Sequence, residues 1–266
     1  MAALKTTFAQ LFFHSFQCSL FMKQLFSVSL FICFFQILTF AQQQEGIISF
    51  EEKMNLHRNL PEDAADMKAM MPEFRTQQNE LLFNATESLY RNVEEEEEDE
   101  GFGDNQGMVI KMQRPEALYY RNFAEKRKVD QREFMRKEYL ITDSIGGQTW
   151  KITGETKKIL EYNCMGAVTS DTARKQEITA WFAPDLPLPT GPASYGELPG
   201  TILELDINDG EIVISAKKVT FKKLKKKDIK EPSSGEKITQ AEFQALIAER
   251  MKEFGGGGRR MRVIRN

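Results

Sequence analysis

Residues 181–207 read WFAPDLPLPTGPASYGELPGTILELDI, a proline- and glycine-dense run that passes directly into an alternating strand. In its last part Leu203, Leu205 and Ile207 fall on one face and Ile202, Glu204 and Asp206 on the other, the period of two that a strand requires. Asn208-Asp209-Gly210 follows, and these residues accept positive φ at low steric cost, so the strand is expected to turn back as a β-hairpin onto 211–221. Ahead of the strand, Pro184, Pro187, Pro189, Pro192 and Pro199 each fix one dihedral and delete one donor, while Gly191, Gly196 and Gly200 allow conformations that other residues avoid. Such a composition makes a rigid connector held against a sheet, one that either shapes a binding surface or covers an edge.

Outward from this stretch the apolar pattern keeps a period of two far more often than 3.6. Expected strands are 47–54, 80–91, 117–123, 133–142, 149–153, 158–168, 177–183, 201–207 and 211–221. The fold class is α+β and mostly antiparallel β. Two helices are expected. The first runs from about Glu62 and ends near Met71, with Pro61 suited to its start and Pro72 ending it. The second starts at Thr239, where Glu242 three residues on completes a capping box and Ile238 can staple onto Phe243. Its apolar stripe of Phe243, Leu246, Ile247, Met251 and Phe254 packs most simply on an open face of the sheet, and Phe243, Leu246, Ile247 and Met251 are the candidate ligand-binding residues if that face holds an apolar ligand.

Residues 1–41 hold two charges, Lys5 and Lys23, no acid, and ten of the chain's 20 phenylalanines. A short basic start at Met22-Lys23, an apolar run and Thr39-Phe40-Ala41 read as a signal peptide cleaved before QQQEG, with Met22 as an alternative start of translation. An uncleaved anchor is the competing reading, and a lipid-modified Cys33 is disfavoured by Ile32 before it. Residues 42–254 would form one β-rich domain and 255–266 a flexible Gly/Arg tail. From residue 42 onward there are 34 basic and 39 acidic residues, a net charge of −5, which argues against nonspecific nucleic-acid binding. The expected location is the periplasm or the cell surface of a Gram-negative bacterium.

Export leaves Cys164 as the lone thiol, so no internal disulfide can form. Its place on one strand face with Leu160, Tyr162, Gly166 and Val168 predicts an inward, inert cysteine. Nothing in the pattern requires His57 to reach it. Met67, Met70 and Met71 sit at helical spacing, which is more often core packing than soft-metal binding. No cofactor, metal site or catalytic constellation is expected, and the chain is not read as an enzyme. The acidic run 94–100 reads as a solvated loop, and the lysine-rich stretch 217–230 as edge decoration that could also meet an anionic surface. Asn84-Ala85-Thr86 and the Asp-Ser/Thr-apolar triplets at 143–145 and 171–173 are short enough to arise by chance.

At ELPGTI, Glu197 to Ile202, the chain resembles the GLPGLI family of exported bacterial proteins. Leu198, Pro199, Gly200 and Ile202 agree with that motif, while Glu197 replaces its first glycine and Thr201 its second leucine. Tyr162 with Cys164, Trp181-Phe182-Ala183-Pro184 and Gly191-Pro192 also recur. The resemblance implies an exported protein and, by fold analogy, a curved, half-barrel-like antiparallel sheet with a helix on its concave side. Two roles follow as expectations. One is an envelope binding protein that holds an apolar ligand or a segment of another envelope protein, with the loop from Pro184 as its rim. The other is a structural or interaction module that docks on a protein partner or an anionic surface through its basic strand and tail, with peripheral membrane contact. Oligomeric state is left open.

Overall fold

Alternating burial along β1 (Gly46–Asn55), where every second residue from Gly46 to Glu52 is buried, sets the pattern for the sheet. The computed structural model describes residues 45–58, 60, 65–93, 117–171, 176–186 and 188–255, apart from the side chains of 251 and 253–255. The expected signal peptide, the acidic run 94–100, residues 172 and 173 of the triplet at 171–173, residues 256–266 of the expected tail and the side chains of Met251 and Phe254 lie outside the described residues. Among the described residues the further strands are β2 (Phe74–Phe83), β3 (Glu87–Asn92), β4 (Ala117–Asn122), β5 (Arg127–Phe134), β6 (Lys137–Ser144), β7 (Lys151–Ile159), β8 (Tyr162–Asp171), β9 (Gln176–Ala183), β10 (Thr201–Ile207), β11 (Ile212–Phe221) and β12 (Glu236–Ile238). The helices are α1 (Ala65–Met70) and α2 (Gln240–Gly255).

The strands form one open sheet in the order β12-β6-β5-β4-β3-β2-β1-β11-β10-β9-β8-β7. It is antiparallel except at one edge, where β12 runs parallel to β6. Two meanders, β1 to β6 and β7 to β11, meet where β1 pairs with β11. Both edges are protected: β12 is three residues long and charged, and β7 is exposed along nearly its whole length, with a register shift between Ile152 and Thr156.

Cross-strand pairs define two faces. Ile48, Leu81, Tyr90, Tyr119, Asp130 and Ile141 lie abreast from β1 to β6 on the first face. Ile47, Leu82, Leu89, Tyr120 and Val129 do so on the second. Both are covered. The first carries the main core, in which Phe50, Phe182, Ile202, Leu203 and Leu205 are fully buried. The second is covered by the lysine-rich segment after β11, through Leu224 and Ile229. Lys222, Lys223, Lys225, Lys226, Lys227 and Lys230 remain exposed there. The chain then passes the β6 edge as β12 and returns to the first face as α2, so one connection covers both sides of the same strands.

Three expected strands are hairpins instead. The stretch 80–91 divides at a turn where Asn84 Oδ1 accepts the N–H groups of Thr86 (2.9 Å) and Glu87 (2.8 Å). The stretch 133–142 divides at Met135-Arg136, with φ of 53° and 62°, and 158–168 begins with the turn at Leu160, φ 53°. Leu160 is therefore 39% exposed and not on the Cys164 face. The hairpin at Asn208-Asp209-Gly210 forms as expected, with φ of 55°, 51° and 89°. So does the capping box: Thr239 N–H donates to Glu242 Oε2 at 2.8 Å, and Glu242 N–H to Thr239 Oγ1 at 3.2 Å. Helix α1 ends at Met70, close to the expected Met71, while its expected start at Glu62 lies outside the described residues; none of its residues is buried, so Met67 and Met70 are exposed rather than core.

Candidate functional site

The connector 184–200 lies on the first face and is braced from three directions. It is tied first to the strand that follows it: Thr201 N–H donates to Leu186 O (2.9 Å), Ile202 N–H donates to Thr190 O (2.9 Å), and the Thr201 hydroxyl lies 2.9 Å from Leu188 O. A second set runs to 146–150. Gly146 and Gln148 N–H donate to the two carboxylate oxygens of Glu197 at 2.9 and 3.0 Å. Gly196 N–H donates to Gln148 Oε1 at 3.0 Å, and Trp150 Nε1 donates to Gly196 O at 2.8 Å. The third brace is the Ser88–Thr190 hydroxyl pair at 2.9 Å, both residues buried.

The quoted motif residues divide by role within this brace. Gly191, Pro192, Leu198, Gly200 and Ile202 are buried, and Pro184 and Pro199 are exposed at the rim. Glycine is required at two of these places. A Cβ on Gly200 would lie 2.3 Å from Ala183 O, and one on Gly191 2.8 Å from Ile202 Cβ. Glu197 takes φ 69°, a conformation glycine adopts most readily, and its two amide bonds hold it there. Trp181 lies opposite Gly166 on β8, where the missing side chain leaves room for the indole, and Lys157 Nζ sits 5.5 Å from the ring centroid.

The helix residues proposed for a ligand are engaged with the sheet. Phe243 is 1% exposed and packs on Tyr139, Ile141 and Phe134, with Arg132 5.0 Å from its ring centroid. Leu246 and Ile247 are half-buried against the same cluster.

Between the connector and the end of the β4–β5 hairpin is a small, partly open pocket lined by Arg121, Phe123, Lys128, Ile145 and the loop residues 189–190 and 194–197. Arg121 and Lys128 are cross-strand partners on the first face. Arg121 Nη1 donates to Asp130 Oδ1 at 2.6 Å and to Tyr120 O at 2.9 Å. The arginine and aspartate side chains are 10% and 5% exposed. Arg121 Nη2 is buried and has no hydrogen-bond partner among the described residues. A buried donor left in that state costs about 1–3 kcal/mol. Sequence reasoning missed this pair because it did not place a strand at 127–134. Two cations directly opposite each other on one face are unfavourable and are the signal that a correct hairpin would have exposed.

Cys164 is fully buried, and burial pushes its thiol up to about 11, so it is protonated and unreactive at neutral pH. His57 Nε2 lies 3.0 Å from Met71 O, a local contact far in sequence from Cys164. Among the described residues no group of acidic, histidine and cysteine side chains could hold a metal ion, and no helix is long and apolar enough to cross a membrane.

An open, mostly antiparallel sheet with a braced loop and a small helix on one face defines the chain as a β-sheet domain. The profile of the family described as N-glycanase peptide, N-terminal domain, matches residues 111–244, half of the chain, and the chain belongs to that family. Two solved structures of PNGF-II, in the C2 and P21 space groups, are 19% identical to it and cover 77% of it, with TM-scores of 0.51 and 0.49. The C2 likeness shows the fold. The chain spans about a third of the length of these solved proteins. No curated protein matches it.

Proposed function

We propose that the chain is an exported envelope binding module that holds a segment of another envelope protein against the connector 184–200, and that it carries out no chemistry itself. The observation that carries this reading is the bracing of the connector. A surface loop fixed by its own strand, by 146–150 and by Ser88 is ordered before any partner arrives, so binding loses little conformational freedom. Membership in a family of N-glycanase N-terminal domains supports a part that binds alongside chemistry done elsewhere, and the resemblance of ELPGTI to GLPGLI proteins supports export. The buried, protonated Cys164 and the locally engaged His57 support binding over catalysis. The sheet in this reading curls as a half-barrel, concave on the face that carries α2 and the connector, as right-handed twist summed over many strands favours.

The test is cross-linking in the native envelope from a photoreactive residue at exposed Pro199, with a second site at exposed Lys226 on the opposite face. A discrete protein adduct from Pro199 alone is the expected result. Adducts from Lys226 alone, lost at moderate salt, would move the docking surface to the lysine-rich segment. A stoichiometric lipid in organic extracts of the purified chain would replace the protein segment with an apolar ligand.

A further inference from the structure

We propose that Arg121 and Lys128, beneath the connector, form a receptor for a single carboxylate carried by the partner polypeptide. The argument starts from Arg121. Its Nη1 is committed to Asp130 and Tyr120 O, which fixes the guanidinium plane, while Nη2 is buried with no partner among the described residues in a side chain that borders the pocket. A fixed guanidinium with one free edge is suited to an oxyanion, because the donor needs no reorganisation when the ligand arrives. Lys128, half-buried on the next strand, places a second cation on the same pocket wall.

The charges nearby choose among oxyanions. Asp130 and Glu197 stand beside the two cations, so the site is close to neutral before binding. The two fixed carboxylates repel any anion that enters, and a phosphate dianion about twice as strongly as a carboxylate. Space limits the occupant as well: the pocket is small, so it suits a single anionic group at the surface and not a folded ligand. The inference deepens the binding-module reading by assigning the partner's anchoring group, and it rests on that reading only for the claim that the carboxylate belongs to a protein.

The experiment titrates the full chain with sodium acetate, and separately with inorganic phosphate, at pH 7 and constant ionic strength with chloride as the balance. The readout is the NMR signals of the arginine side chains, with Arg121 assigned by substitution. Acetate should move the Arg121 signals saturably. Lys128→Met, which keeps the aliphatic stem and leaves the Asp130 pair intact, should weaken acetate roughly fivefold, and Arg121→Lys should abolish the saturable response. No response beyond chloride, or a Lys128→Met variant that binds acetate as the parent does, overturns the site. Phosphate binding tighter than acetate overturns the carboxylate assignment. Failure of the envelope cross-linking with acetate binding intact would remove the protein partner and leave the anion site standing.

Discussion

Gly200 is the residue on which the connector's path depends most directly. Its φ is 154°, and any Cβ there would overlap Ala183 O at 2.3 Å and the Ala183 carbonyl carbon at 2.7 Å, backbone atoms of β9 that cannot move without disturbing the pairing to β10. Gly200→Ala is expected to lower stability by about 2 kcal/mol or more, read as a shift of the denaturant midpoint. Glu197→Gly is the companion measurement. Glycine relaxes the left-handed backbone at 197, but it leaves the N–H groups of Gly146 and Gln148 to water, so its net effect should stay within about 1 kcal/mol. A larger loss in the second variant would show that the carboxylate holds the 146–150 segment in place. At this scale the sequence was readable wherever one residue type has one physical meaning. Gly200 in a proline-rich run and Cys164 on an apolar face were legible; the role of Glu197 was not, because a glutamate in a left-handed conformation has no sequence signature.

Elements were legible where their ends carry chemistry. The β10–β11 hairpin is marked by Asn208-Asp209-Gly210 and the start of α2 by Thr239 and Glu242, and both form as read. Of the three missed hairpins, one carries a turn residue, Asn84, inside the expected strand 80–91, and the other two turn at Met135-Arg136 and Leu160, whose side chains do not favour positive φ. Those turns are imposed by pairing of the flanking strands, in which Phe134 meets Lys137 and Ile159 meets Tyr162, and tertiary pairing leaves no local signal. The same omission hid the Arg121–Lys128 pocket. In α2 the capping box and the stripe can be separated by substitution. Thr239→Ala should cost about 1 kcal/mol through loss of the cap. Phe243→Ala should cost about 3–5 kcal/mol, because a ring 1% exposed among Tyr139, Ile141 and Phe134 leaves a cavity. Thermal unfolding of both variants measures the two losses. A Phe243→Ala variant as stable as the parent would mean that the ring is not part of the core.

Across the whole molecule, the sheet depends on one connection to cover the second face of the β1–β6 meander. The segment after β11 carries few apolar side chains, Leu224 and Ile229 among them, and the second face would otherwise present Leu82, Leu89, Tyr120 and Val129 to solvent. Its far end is clasped by Arg127, whose two guanidinium nitrogens donate to the two Glu231 oxygens at 2.7 Å each. The bidentate bond to Arg127 holds the Glu231 carboxyl below its ordinary 4.5. The sign follows from that direction. A carboxylate with a depressed folded pKa adds stability that is fully present above the unfolded value and is lost as pH falls through the folded one. The clasp should therefore be intact at neutral pH and weaken progressively below about pH 4.5. Both side chains are about a third or more exposed, so screening limits the contribution to no more than about 1 kcal/mol. Glu231→Gln should remove that fraction at pH 7 and flatten the stability profile between neutral and acid pH. Hydrogen exchange should locate the change in the amides of Leu224, Asp228 and Ile229 and leave β9 and β10 unaltered. Equal loss in the central strands would mean that the covering segment and the sheet unfold as one unit, so that the second face is never exposed on its own.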